Sequence, residues 1–137
     1  MCKTKLRGDL SEIAFLQKAT ILGLSVSKPF GDAFPYDFIV DNRCARWRVQ
    51  VKSSAKAGYK GRYQVHSGHV LQKRSQSYSS SEVDFMAFHI VREDTWYIVP
   101  LPAIRQRLAV TLYAPARPQQ GIYAAYWEAW HLLQPEP

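Results

Sequence analysis

The segment Pro35-Tyr36-Asp37-Phe38-Ile39-Val40-Asp41, followed after a short turn by Arg46-Trp47-Arg48-Val49-Gln50-Val51-Lys52, constrains this chain more than any other. Two runs rich in β-branched and aromatic residues, joined through Asp41-Asn42-Arg43-Cys44, read as a β-hairpin. Side chains alternate faces along a strand. Arg46, Arg48, Gln50 and Lys52 therefore share one face, and Trp47, Val49 and Val51 share the other. In such a hairpin the start of the first strand lies across from the end of the second, which brings Asp37, Gln50 and Lys52 together. A carboxylate, an amide and an ammonium at a hairpin's open end suit a divalent-metal site for phosphodiester cleavage.

The remaining elements are expected around this hairpin. Asp9 to Leu22 reads as a helix with Leu10, Ile13, Ala14, Leu16, Ile21 and Leu24 on its apolar side, and Gly23 stops it. Asp9 suits the N-cap and Glu12 follows three residues later, so Glu12 has a capping-box reading beside a functional one. Leu24 to Lys28 reads as a short strand, and Pro29 to Pro35 as a loop in which Asp32 stabilises a turn. Arg62 to Val65 alternates like a strand. Glu82 to Ile90 and Thr95 to Val99 read as a hairpin turning at Arg92-Glu93-Asp94, in which Phe85, Met86, Ala87, Phe88, Ile90 and Val91 are apolar, as in a strand buried on both faces. Pro102 to Leu108 reads as a short helix, Ala109 to Tyr113 as a strand and Ala114 to Gln120 as a loop. In the helix expected over Ile122 to Leu133, Tyr123, Tyr126, Trp127, Trp130 and Leu133 form an aromatic stripe, either core or subunit interface. The order implies one α/β (α+β) domain over residues 1–137, with a mixed central sheet flanked by helices.

Charge narrows the partners. The chain has 137 residues, a formal net charge of +7, and 47% hydrophobic residues. One core of useful size is available, and the positive balance favours a polyanion, nucleic acid first. Residues Ser53 to Ser81 concentrate the basic groups. Lys56, Lys60, Arg62, His66, Lys73 and Arg74 are candidate contacts to double-stranded DNA, against the alternative of a solvated basic surface. His66 and His69 are three apart, a spacing that puts them on opposite faces of a strand rather than around one ion. No apolar run is long enough for a membrane span, and the N-terminal residues do not form an apolar signal segment, so a cytoplasmic protein is expected. Cys2 and Cys44 make no disulfide framework and no zinc spacing.

Several of these residues together resemble the PD-(D/E)XK nuclease superfamily. Pro35 and Asp37 stand near its Pro-Asp pair, with Tyr36 intervening, and Gln50-Val51-Lys52 stands where the family has an acid, any residue and Lys. Within the superfamily the chain is similar to the homing endonucleases encoded in group I introns, through Gly8, Glu12, Tyr36, Asp37, Gln50, Val51, Lys52, Tyr78 and Val83-Asp84-Phe85. The likeness runs from about Arg7 to Pro100.

That resemblance implies a restriction-endonuclease-like core and a Mg²⁺ (or Mn²⁺) cofactor. It implies Asp37, the Gln50 amide oxygen and the Val51 carbonyl as ligands, and Glu12 on the metal or a metal-bound water. Lys52 would orient the attacking water or neutralise the transition state. It leaves open a homing enzyme, a branched-DNA resolvase or restriction-type enzyme, and a DNA-binding protein whose site has decayed at Gln50. A small enzyme that cuts both strands of a specific site calls for symmetry, so a dimer or tetramer is expected.

Overall fold

The computed structural model describes residues 3–58, 61–114 and 120–137. Its centre is a mixed five-stranded sheet in the order β1-β2-β3-β7-β8. The strands are β1 (Ser25–Ser27), β2 (Phe38–Asp41), β3 (Arg46–Ser54), β7 (Phe85–Ile90) and β8 (Thr95–Pro100). The expected hairpin is present: β2 and β3 pair antiparallel, with Phe38 opposite Val49 and Val40 opposite Trp47. Its turn is closed by side chains, since Asp41 Oδ1 accepts from Arg43 N–H and Asn42 Oδ1 from Cys44 and Ala45 N–H. β3 then pairs parallel with β7, and β7 pairs antiparallel with β8. Every residue of β7 is buried, as its apolar run requires.

The two faces of this sheet are covered differently. Helix α1 (Lys3–Ile21) and the C-terminal residues Trp130 and Leu133 cover one face, against Phe38, Val40, Val49 and Val51. The opposite face packs against a two-stranded layer of β4 (Arg62–His66) and β9 (Ala109–Tyr113), through Tyr63, Val65, Val110 and Leu112. β4 alternates as expected, with Tyr63 and Val65 inward and Arg62, Gln64 and His66 outward. A separate ribbon, β5 (Gly68–Leu71) with β6 (Arg74–Ser77), completes the strands. His66 and His69 thus lie on different strands rather than on opposite faces of one.

Helix α1 departs from expectation in two ways. It begins at Lys3, so Asp9 and Glu12 lie in its interior and form no capping box. It also buries Ser11, Phe15 and Ala19, while Leu10, Ile13, Leu16 and Ile21 remain exposed. Phe15 explains this choice. Its ring stacks on Phe38 at 5.4 Å and meets Trp96 at 5.8 Å and Trp130 at 5.4 Å. Small residues four positions to either side let the helix approach the sheet closely. The helix ends as expected: Gly23 takes φ of 84° and donates to Thr20 O, while Leu24 N–H donates to Ala19 O.

Other boundaries also move. Helix α2 spans only Leu101–Ile104, because Arg105 and Gln106 turn left-handed at φ of 55° and 61°. The expected C-terminal helix is replaced by 3₁₀ turns at Ala124–Tyr126 and Trp130–Leu133. Between them Trp127 bridges to Tyr97, and Glu128 at φ of 49° donates its N–H to Trp96 O. This segment satisfies the open edge of β8 instead of its own helical bonds. Tyr123, Trp130 and Leu133 enter the core, whereas Trp127 stays 45% exposed. The loop expected over Ala114 to Gln120 lies largely outside the described residues, as do Cys2 and Lys60.

Phe15 is therefore the residue that fixes how α1 sits on the sheet. Phe15→Ala should destabilise the fold by about 3–5 kcal/mol. Urea denaturation of the variant beside the parent measures this, and a loss below about 1 kcal/mol would contradict the packing described.

Candidate active site

The site arises where β3 outruns β2. The ladder between them runs down to Phe38, and the Asp37 N–H still donates to Val49 O at 2.9 Å. Beyond that point Pro35 and Tyr36 lead the chain away from the sheet, and the Val51 N–H has no strand to meet. The Asp37 carboxylate takes that place, with Oδ2 accepting from Val51 N–H at 2.8 Å. One side chain thus ends the hairpin and is held in position by the end it makes.

Burial pushes the Asp37 carboxyl up to about 6, against the opposing pull of the Val51 bond. The charge of Glu12 pushes it the same way as burial, while Lys28 and Lys52 pull it down. Glu12, Lys28 and Lys52 are therefore the charged surroundings of Asp37. Lys52 is itself half-buried, and burial lowers its pKa against the attraction of Asp37. Its ammonium lies 5.6 Å from the Tyr78 ring centre. The Tyr78 phenol is pushed up to about 12, first by burial and then by Asp37 and Glu82, so it stays protonated. Gln50 and Lys52 share one face of β3 by alternation, the face of their partners Met86 and Phe88 on β7.

The structure thus brings Glu12, Asp37 and Lys52 together, with Val51 bonded to Asp37 and Gln50 beside it in the strand. Interior placement on α1 gives Glu12 its reach to the sheet edge, where a helix-terminal glutamate would have been spent on capping. Lys28 completes the group and was not among the residues expected. Its ammonium lies 2.7 Å from Glu12 Oε1 and 4.9 Å from the Phe38 ring centre.

Two further polar arrangements hold the site's walls. Arg48 grips Asp84 through Nε and Nη2, both at 3.0 Å, and donates to the Ser80 and Ser81 carbonyls. That clamp ties β3 to the loop carrying Tyr78 and gives Asp84 the role its sequence position did not disclose. His89, buried in β7, bonds Ser11 Oγ on α1 at 2.8 Å and Asp94 at 2.9 Å, and stacks on Trp96 at 4.2 Å. It pins the helix next to Glu12. A single polar residue in an otherwise apolar strand was the sequence signal for it.

The candidate DNA contacts lie on the surface. Lys56, Arg62, His66, Lys73 and Arg74 are all exposed, and among the described residues none forms a salt bridge. Asp32 lies in the exposed loop before β2. Cys44 is a free, exposed thiol in the hairpin turn.

The donor set can be tested against a divalent ion. Among the described residues no three His, Cys, Asp or Glu side chains converge. The donors available are oxygens: the Asp37 carboxylate bonded to Val51 N–H, with Glu12 among its charged surroundings, and the Gln50 amide and Val51 carbonyl on the same stretch of β3. Such a set fits a hard cation that keeps several waters, as Mg²⁺ or Mn²⁺ does, and does not fit zinc. A desolvated carboxylate repelled by a second one is also the electrostatic condition a divalent cation relieves.

A strand-end carboxylate, with a helix glutamate and a half-buried lysine as its charged surroundings, thus stands on a mixed five-stranded sheet. Residues 2–133 match the family model of the PD-(D/E)XK endonucleases, and the chain belongs to that family. Its structure is similar to that of a bacterial homing endonuclease, I-Ssp6803I, with a TM-score of 0.84 and 30% identity over 96% of this chain and 93% of that one. It also shares its fold with Hjc, a Holliday junction resolvase from Archaeoglobus fulgidus, with a TM-score of 0.56 and 13% identity over 96% and 99% of the two chains. No curated protein matches the chain.

The raised Asp37 carboxyl carries a stability consequence. Between the ordinary carboxylate value of 3.8 and about 6 the folded state binds the proton that the unfolded chain releases. Stability from this group therefore falls as pH rises through that window, and the cost is fully present above it. Asp37→Asn keeps an acceptor for Val51 N–H and removes the charge. In metal-free buffer at pH 8 it should stabilise the fold by about 1–3 kcal/mol, read as a higher Tm by calorimetry; an unchanged or lower Tm would contradict the assigned burial.

Proposed function

We propose that this nuclease is a Mg²⁺-dependent (or Mn²⁺-dependent) DNA endonuclease of the homing type, acting on double-stranded DNA at a specific site. The observation that carries the reading is the Asp37 carboxylate, fixed by Val51 N–H and within the charge field of Glu12 and Lys52. The 30% identity to a homing endonuclease over nearly the whole chain supports the finer assignment.

The metal would be held by Asp37, the Gln50 amide oxygen, the Val51 carbonyl and Glu12. It would supply Lewis acidity to the phosphate and an acidic water at neutral pH. The chain's own residues do the rest. Asp37 and Glu12 orient the bound waters. Lys52, whose ammonium is easier to deprotonate than an exposed lysine, positions the attacking water and offsets charge on the phosphate as the transition state forms. Tyr78 backs Lys52 with an apolar wall. Lys56, Arg62, His66, Lys73 and Arg74, with Lys60 outside the described residues, would hold the phosphate backbone.

We also place the enzyme in the cytoplasm, in keeping with a free, exposed Cys44, and in a dimer or tetramer. Among the described residues no helix is long and apolar enough to cross a membrane. The support for self-association is the outer side of α1, where Leu6, Leu10, Ile13 and Leu16 are 41–60% exposed. Sedimentation of the parent and of an Ile13→Asp variant tests this. The parent should run as a dimer or larger and the variant as a smaller species, whereas a monomeric parent would exclude it.

The reading as a decayed binding protein rests on the uncharged Gln50. Metal-dependent nicking of plasmid and genomic DNA by the parent, abolished by EDTA, separates the two. Lys52→Ala and Asp37→Ala should each lower the rate by at least about 10²-fold; retention in either variant would overturn the site. Gln50→Glu adds a third carboxylate beside one already held near 6, so cutting should fall. A gain would favour the decayed site.

A further inference from the structure

The β5–β6 ribbon contributes little to the core. Of its eight residues only Gly68 is buried, and among the described residues the ribbon pairs with no third strand. A lone two-stranded ribbon with open edges is marginal in stability and a liability in solution. Its side chains divide cleanly by face. The cross-strand partners are Gly68 with Ser77, His69 with Gln76, Val70 with Ser75 and Leu71 with Arg74. One face therefore carries the large groups His69, Leu71, Arg74 and Gln76, and the other mostly small ones.

The turn sharpens this. Gln72 and Lys73 take φ of 51° and 64°, both left-handed, in a two-residue connection between Leu71 and Arg74. Such turns favour Asn-Gly, and long side chains there cost conformational energy. The ribbon keeps Gln and Lys at its tip despite that cost, which accords with a use for side chains there. The surrounding sequence points to an anionic partner: residues 42–81 hold nine Lys or Arg and no Asp or Glu.

The root of the ribbon adjoins the candidate catalytic group. The His69 ring lies 4.7 Å from the Tyr78 ring, and the Lys52 ammonium lies 5.6 Å from the centre of the same ring. Through His69 the large-residue face is the one that meets Tyr78, the neighbour of Lys52. From His69 the strand runs about 10 Å to its tip at ~3.4 Å per residue, or roughly three base-pair rises.

Resting on the nuclease reading above, we propose that this ribbon enters the major groove of the substrate duplex and reads base pairs beside the scissile phosphate. The major groove admits a two-stranded ribbon. The face offers Arg74 for guanine, Gln76 for adenine and Leu71 for a thymine methyl, the pairings that base-edge geometry favours. Arg74 then reads a base rather than only holding a phosphate.

The test uses the full chain and a duplex library with a randomised 30-base-pair segment. One arm selects bound DNA in Ca²⁺, and a second selects cut DNA in Mg²⁺. Parent, Gln76→Ala, Leu71→Ala and Arg74→Lys are compared, each checked for parental circular dichroism. The parental bound pool should show a sequence preference. Each variant should lose about tenfold discrimination at one or two positions within a short contiguous block. Arg74→Lys should do so although it keeps the charge a phosphate contact needs. An unchanged preference in all three variants, or no preference in the parent's bound pool, overturns the proposal. So does a change in oligomeric state without a change in preference, which would make the ribbon a contact between copies. Binding preference without cutting would leave the ribbon assignment standing and remove the nuclease reading, so the two fail separately.

Discussion

The bond from Val51 N–H to the Asp37 carboxylate joins fold and site in one interaction. A sheet must account for every backbone donor, and β2 is too short to serve all of β3. The first N–H that β2 leaves unserved is met by a side chain from the residue just before that strand begins. This draws a carboxylate into a half-buried position at the sheet's open end and fixes one of its oxygens. The geometry that finishes the hairpin therefore also presents an anion there. Had β2 run two residues further, the backbone would have bonded itself and the carboxylate would have been free to leave.

Burial makes that anion costly, and the surrounding charges show how the cost is shared. Desolvation and Glu12 raise the Asp37 carboxyl, while Lys28 and Lys52 lower it without restoring its ordinary value. Two carboxylates face two lysines, so it is chiefly desolvation that the protein groups leave uncompensated. Of the lysines, one is paired with Glu12 and one is half-buried beside Tyr78. A cluster built only for stability would be neutralised by closer pairing or replaced by apolar residues. A desolvated carboxylate kept at the edge of a sheet, with its pKa shifted by burial and by a second carboxylate, is the kind of perturbed group that clusters at functional sites.

The hairpin was legible from sequence because its information is local. Alternation of period two, a turn rich in Asx residues and the spacing of Asp37 from Lys52 all act within twenty residues of chain. The buried strand β7 and the stop at Gly23 were legible for the same reason. Helix α1 was not, because the count of aliphatic residues favoured one side and the shape of the partner favoured the other. Phe15 wins through three aromatic neighbours contributed by β2, β8 and the C-terminus, none adjacent in sequence. The C-terminal segment misled similarly: its aromatic spacing is helical, but the open edge of β8 offers better partners than its own carbonyls. Lys28 escaped notice because nothing near it in sequence asks for an ammonium; the demand comes from Glu12, sixteen residues away.

His89 and Arg48 show how a site of this kind tolerates an exposed reaction edge. Neither belongs to the group around Asp37, yet each fixes an element that carries one of its members. Arg48 holds the loop of Tyr78 to β3 through Asp84 and two carbonyls, and His89 holds α1 to β7 through Ser11, the residue preceding Glu12. Both act where the packing changes from apolar to polar, so the ordering they provide does not depend on covering the site. Glu12 and Tyr78 are then placed by rigid neighbours, while Asp37 and Lys52 between these elements stay only half-buried. That division sets the ordered hydrogen bonds behind the site and the uncommitted charge in front of it.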